Sequence, residues 1–492
     1  MALTLGLDVA RSSLAVTAEQ ISIVSRNVGR MGDADATRKV AMVVTGPGAS
    51  VHVSRIGRSY DALLLEKYLS ANASAEAEGA IASGLNQLQS TVNDTELGRS
   101  PAALIGKLTA TLQRYSASPS NVPLAGSVVW AAQDVAKSLN EASSIVRSVR
   151  QEADNAIAAS VTVINNLLTQ FDAVNRQVVT GTRAGMDVTD ALDARDGLLK
   201  KLSAEIGIRT VPRSDGDLAV YAESGVTMFE TVARSVTFSS TSHLASGASG
   251  SPVYVDGVPV AGTNQVMSID TGRLAGLVAV RDTLTPAYQG QIDEIARGLI
   301  EAFAEHDQSV APTLPAAAGL FTALGGSGIP PSGSIVPGLA GLITVNANVD
   351  PSRGGDLSLI RDGGISSPGN PAYTYNSGGD ASFSDRIYGM ISALGTPRNF
   401  DASAKIDTEA TVADFASSSV SWLEALRQNS KSEADYRQAV RERAISAFSK
   451  DTGVSLDEEM AKMLDLERTY QASSRLITTI DSMLESLLLA MR

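Results

Sequence analysis

The chain contains no cysteine, which excludes disulfides, thiolate catalysis and Cys-ligated zinc or iron–sulfur centres. It also lacks a basic excess: 40 Lys and Arg stand against 53 Asp and Glu, a net charge of −13. Tracking phosphates needs the opposite sign, so nucleic acid is not an expected partner. No uninterrupted apolar run approaches the roughly 18 residues of a membrane span, so no membrane contact is expected either. The start, MALTLGLDVARSSLAV, has no basic n-region, long apolar core or cleavage site. Any export is therefore expected to proceed without a cleaved signal peptide. Aromatic residues make up only 4% of the 492, thin for large compact globules. The dominance of Ala, Ser, Val and Leu favours long helices with light β layers.

Groups that carry chemistry are equally sparse. The histidines are His52, His243 and His306, far apart and without an HExxH or HxxE pattern. The stretch from Gly98, GRSPAALIGKLT, has the wrong glycine spacing for a phosphate loop. Leu108 also occupies the position that needs Ser or Thr to bind magnesium. The glycines of GGSGIPPSGS, from Gly325, follow no strand and open no helix. No GxSxG elbow is present, and the acidic pair Glu458/Glu459 reads as a solvated helix face. The reading is not an enzyme, with no catalytic, cofactor-binding or metal-ligating residue and no cofactor.

What is there is periodicity. Leu3, Leu7, Ala10, Leu14, Thr17, Ile21, Val24, Val28 and Met31 recur at three- and four-residue spacing, a narrow coiled-coil-like seam. Near the other end Leu456, Met463, Tyr470, Ile477, Leu484 and Met491 fall at strict sevens. Leu466, Ile480 and Leu487 fill most intermediate positions, and Glu459 and Ser473 interrupt the pattern. Residues 1–60 carry Arg11, Arg26, Arg30, Arg38, Lys39, Arg55 and Arg58 against four acids, whereas the segment from Asp451 is net acidic. Matching period and opposite charge predict that the two ends pair with each other; the alternative is that each packs on its own neighbours. The packing positions expected to matter are Leu7, Leu14, Ile21, Val28, Met463, Tyr470, Ile477, Leu484 and Leu487.

Between the ends, an apolar stripe from Val128 to Val179 predicts one helix on the order of 75 Å long. Further helices are expected over residues 60–95, 101–115, 190–205 and 284–305. Period-two alternation around Asp-Gly turns in IRTVPRSDGDLAVYA and PVYVDGVPV predicts hairpins. Residues 311–380, rich in Gly, Pro and Ser, read as loops and light β structure, and helix is expected to resume near Asp401. The fold class is α+β and multidomain: long terminal helices form a discontinuous coiled-coil-like rod, interrupted by a mostly-β outer region. The expected domains are 1–60 with 450–492, 61–206 with 401–449, 207–310, and 311–400.

Three segments resemble the bacterial flagellar hook-associated protein 1 family. DALDARDGLLKKLSAEIGIRTVPRSDGDLAVY (190–221) and GRLAGLVAVRDTLTPAYQGQIDEIARGLIEAF (272–303) are similar to its two central Arg-Asp segments. GVSLDEEMAKMLDLERTYQASSRLITTIDSMLESLL (453–488) is similar to the C-terminal signature shared with hook and rod proteins. VSRNVGR places Asn27 where the family carries an Asn-Ile/Val step. One departure is local: GDADATRKV keeps only Thr37 and Arg38 of the family's Asn-Thr-x-Gly-Tyr-Ser/Thr-Arg segment, and 311–400 matches nothing recognisable. The resemblance implies a structural junction protein that joins hook to filament as a ring-like homo-oligomer through its terminal helices. It also implies hook protein, a second hook-associated junction protein and an export chaperone as partners. The implied location is extracellular, on the flagellum. The alternatives are another axial protein, in the hook or distal rod, and an enzyme displayed on a flagellar scaffold.

Overall fold

The computed structural model describes residues 2–92, 98–262, 265–324, 326 and 328–490. The chain opens with α1 (Ala2–Gly29), followed by the antiparallel hairpin β1 (Lys39–Thr45) and β2 (Val51–Arg58). Three helices come next: α2 (Ala62–Val92), α3 (Pro101–Ser116) and α4 (Val122–Arg183). The side chain of Asn121 accepts a hydrogen bond from the Leu124 amide, and a proline stands in the first turn, so α4 starts on a strong signal. No proline interrupts it for 62 residues, giving a rod of about 93 Å at 1.5 Å per residue.

After α5 (Thr189–Glu205) come two three-stranded sheets. The first holds β3 (Ile208–Pro212), β4 (Leu218–Ala222) and β5 (Thr227–Phe229); the second holds β6 (Val236–Thr237), β7 (Val253–Val255) and β8 (Val258–Ala261). Both expected hairpins are present. Val255 pairs with Val258 across Asp256 (φ 50°) and Gly257 (φ 80°), the two left-handed residues that a tight primed turn requires.

The helix expected from Leu284 starts earlier. α6 (Arg273–Ala279) runs through one π-helical turn, Val280–Leu284, into α7 (Thr285–Ala302). The Thr285 hydroxyl donates to the Val280 carbonyl at 2.7 Å, satisfying a group that the wider turn loosens. The Gly- and Pro-rich region forms β9 (Phe321–Ala323), β10 (Ile343–Val345), α8 (Leu359–Asp362) and α9 (Asp385–Leu394), separated by loops. Helix does not resume near Asp401. The short pair β11 (Arg398–Asn399) and β12 (Glu409–Ala410) intervenes, and Lys405 is left-handed (φ 60°). α10 (Val412–Thr452) begins only where the Thr411 side chain caps the Asp414 amide. α11 (Leu456–Ala490) ends the described chain.

Two apolar cores lie along α4. One gathers α3, the first half of α4, α7, β9, β10, α9 and the start of α10 around residues such as Leu139, Leu299, Phe321, Ile387 and Phe415. The other packs Ile157 to Phe171 of α4 against α5, the strands β3–β8 and Phe448 of α10. Among the described side chains, none of α1, β1, β2 or α11 belongs to either core. The chain is thus an α+β protein with long terminal helices set apart from its main cores.

Candidate assembly interface

α1 and α11 pack on each other across the whole length of the sequence. Two polar pairs report their register. Ser13 and Ser473 join hydroxyl to hydroxyl at 3.2 Å, and Asn27 donates its amide to Glu459 at 3.0 Å. From the first pair to the second, each helix advances fourteen residues in the opposite direction along the chain. The helices are therefore antiparallel and in step over two heptads. Further along, Ile480 lies against Gly6, and a Cβ there would meet its methyl at 3.6 Å, an ordinary contact.

Glu459 and Ser473, the two interruptions of the C-terminal heptads, are thus the residues that pair with α1. Glu459 corrects the expectation of a solvated acidic face: it is buried and also accepts from Arg38 Nε at 2.5 Å, while Glu458 stays exposed. Asn27 carries a second load, bridging the amide and carbonyl of Lys39 at 2.9 Å each and so fixing the start of β1. Both are findable in the sequence as polar residues set into an apolar seam, the usual position of a register determinant.

The expected packing residues divide. Leu7, Leu14, Ile21 and Val28 are half-buried, beside the fully buried Ala10, Val16, Ile23 and Val24. Met463, Ile477 and Leu484 are half-buried, whereas Tyr470 and Leu487 are exposed, as are Met460, Leu464, Leu476, Met483 and Leu488. α11 therefore covers one narrow line of its surface and leaves a second apolar line open.

The charges of the N-terminal segment are mostly spent elsewhere than expected. Among the described residues, only Arg38 forms an ion pair with the C-terminal acids. Asp187, Asp190, Asp193 and Asp196 recur every third residue from just before α5 into its first turns and take Arg26, Arg30, Lys39 and Arg58. Arg26 meets Asp187 at 2.9 Å and Arg30 meets Asp190 at 2.7 Å. Buried Asp193 accepts from the Thr37 amide (3.1 Å), the Thr37 hydroxyl (2.5 Å), the Lys39 ammonium and Arg58 (3.1 Å). Arg58 also lies 2.7 Å from Asp196. Burial pushes the Lys39 pKa down and the Asp196 pKa up, with the opposite charges of Asp193 and Arg58 resisting. Thr37 and Arg38, kept where the Gly-Tyr is lost, are the two residues of that loop that bind Asp193 and Glu459.

The second Arg-Asp segment has a parallel task in the rod. Arg281, fully buried in the π turn, bridges Asp154 of α4 and Asp282, each at 2.7 Å, and donates to the Ser251 carbonyl. Arg150 donates to the Arg281 carbonyl at 3.1 Å and to the carbonyls of Ala245 and Ala248. A buried guanidinium satisfied this fully holds the β6–β8 sheet onto the long helix.

Among the described residues no helix is long and apolar enough to cross a membrane, and no group of three or more His, Asp or Glu could hold a metal. The family model "Flagellar hook-associated protein FlgK helical domain" matches residues 85–310, and "Flagellar basal body rod FlgEFG protein C-terminal" matches 446–490. Flagellar hook-associated protein 1 of Bacillus subtilis is 22% identical, over 98% of this chain and 97% of its own length. Its namesake in Salmonella typhimurium is 24% identical, over 60% of this chain and 55% of its own length. Among solved structures, the flagellar hook junction protein FlgK from Burkholderia pseudomallei aligns at 19% identity and a TM-score of 0.43, over 52% of this chain and 46% of that one. With its helical domain and its C-terminal helix both matched, and one relative aligned nearly from end to end, the chain is similar to the flagellar hook-associated protein 1 family.

Proposed function

We propose that this chain is a structural junction protein of the bacterial flagellum, joining hook to filament by self-assembly through α1 and α11. The family is one of structural flagellar proteins, and the relatives' name speaks of the hook. The observation that carries the reading is the open apolar line of α11: Met460, Leu464, Leu476, Met483 and Leu488 stay exposed although α1 already covers the other side. A surface of that kind marks an association site, and a ring of identical copies is the occupant proposed. Leu7, Leu14, Ile21, Val28, Met463, Ile477 and Leu484 hold the pair together, and Tyr470 and Leu487 face the next copy. Hook protein on one side, a second hook-associated junction protein on the other and an export chaperone are the proposed partners. The domain division read from the sequence is retained as part of the proposal, as is export to the flagellum without a cleaved signal peptide. Isolated narrow seams are marginal, so the terminal helices are proposed to gain most of their order on assembly. Strong and equal amide protection of residues 2–30 in monomer and assembly would contradict that.

Deleting residues 466–492 tests the assignment. Incorporation into the flagellum should be lost while the rod and the β sheets keep their folded signal, and normal incorporation would refute it. A second reading, a hook or distal rod component, is favoured by the rod-protein match over 446–490. Imaging a tagged copy separates the two, because only a junction protein is confined to the hook–filament boundary. The displayed-enzyme reading is tested by an activity screen with and without residues 311–400, and no activity is expected.

A further inference from the structure

The structure assigns a specific task to the acidic ladder of α5: we propose that Asp193, with its neighbours every third residue, is an ionic lock that sets the direction of the terminal helix pair relative to the rod. This goes beyond the junction reading. Three observations carry it. First, the joint has little apolar content from the N-terminal side, since no described side chain of residues 3–59 belongs to either core. It also borders a half-open cleft of about 190 Å³ lined by Arg30, Ala36, Phe448 and Thr452 among others. Packing therefore does not fix the angle.

Second, the ladder is matched rung by rung from three separate pieces of the N-terminal segment. The end of α1 supplies Arg26 and Arg30, the loop supplies Thr37, the hairpin supplies Lys39 and Arg58, and Lys200 returns from α5 to Asp35 at 3.0 Å. Gly197 belongs to the same fit, because a Cβ there would stand 2.9 Å from an Asp35 carboxylate oxygen. Third, the rungs pass from outside to inside. The side chain of Asp190 is 58% exposed and that of Asp193 only 1%. A charge as enclosed as Asp193 has one arrangement of donors that satisfies it, so a small rotation of the helix pair would strand it. The remaining ties across the joint are few, such as the Arg38 amide on the Thr452 carbonyl at 2.8 Å and Ser59 on the Asp451 carbonyl at 2.9 Å. Asp193 is thus a positioning residue.

The absence of cysteine makes the test direct. In the assembled full chain, with unlabelled copies in excess, spin labels are placed at Glu467→Cys and Arg176→Cys, one on the helix pair and one on α4. The distance distribution should be narrow, and Asp193→Ala should at least double its width while the rod keeps its thermal transition. Arg26→Ala with Arg30→Ala, which removes the exposed rungs and from Asp193 only its outermost cation at 3.5 Å, should broaden it by less. A folded Asp193→Ala protein with unchanged width would overturn the lock. If Asp193→Ala does not fold, the double variant decides: broadening supports the lock, and an unchanged width overturns it.

Discussion

α4 and α11 are both long, Gly-poor helices with a repeating apolar stripe, yet they are used in different ways. α4 buries 26 of its residues and serves two cores from opposite ends. α11 buries three, Glu459, Leu466 and Ile480, and one of these is charged. Helical period alone says that a stripe exists; it does not say how many partners will cover it. Inside the rod, partners surround the helix, and apolar area translates into stability. At the terminal pair, one neighbour covers one line, and the remaining apolar surface is available to other chains.

The sharpest way to break this contrast is at the buried ion pair of the rod. Asp154→Ala takes from buried Arg281 one of its two carboxylates and should cost about 1.5–3 kcal/mol of global stability, read by chemical denaturation. A loss below 1 kcal/mol would mean that the β6–β8 sheet is held by other contacts. Ile477→Asp tests the other region: assembly should fail, because a seam cannot bury an unpaired charge. The monomer's main melting transition should move by less than about 0.5 kcal/mol, and assembly that tolerated the change would remove the seam assignment. Neighbouring acids on α11 sharpen the comparison further. Glu459→Ala removes charge-assisted bonds to Asn27 and Arg38 and should weaken the terminal pair by about 1–3 kcal/mol, seen as faster amide exchange in α1.

Asp293 offers a pH test within the rod. It accepts from the Gly338 and Ala340 amides at 2.8 Å each, and burial raises its pKa to about 6. A carboxyl raised on folding contributes stability that is complete below its unfolded value and is lost as pH rises through the folded one. Relative to Asp293→Asn, the wild type should lose about 1–3 kcal/mol between pH 4 and 7, and a flat difference would place the effect elsewhere. Smallest of all, Glu458→Ala should change stability by less than about 0.5 kcal/mol, as expected of an exposed partner at 3.7 Å from Arg38.

Much of the architecture was legible because its causes are local. The α4 stripe, the Asp-Gly turn at 256–257 and the end-to-end pairing of seams all follow from period and turn chemistry. Legibility failed where a residue's state depends on something distant. Glu459 and Glu458 are adjacent and chemically identical, and only the position of Asn27 and Arg38, over 400 residues away, separates buried from solvated. The start of α10 was misplaced because Asp401 and Thr411 are both good helix caps, and β11 pairing with β12 decides between them. Arg281 was visible only as part of a family-like segment, without a task.

The amino-acid sequence by itself determined which stretches are helical, where they pair end to end, and that no catalytic constellation is spelled out. Each of those is written in spacing of a few residues, where backbone geometry acts directly. Tertiary structure alone decided which charges are buried and with whom: the ladder Asp187 to Asp196 meets cations from α1 and the hairpin, not from its own neighbourhood. Burying an ion is favourable only when every donor arrives together, and that condition exists only once distant segments have been brought to one place.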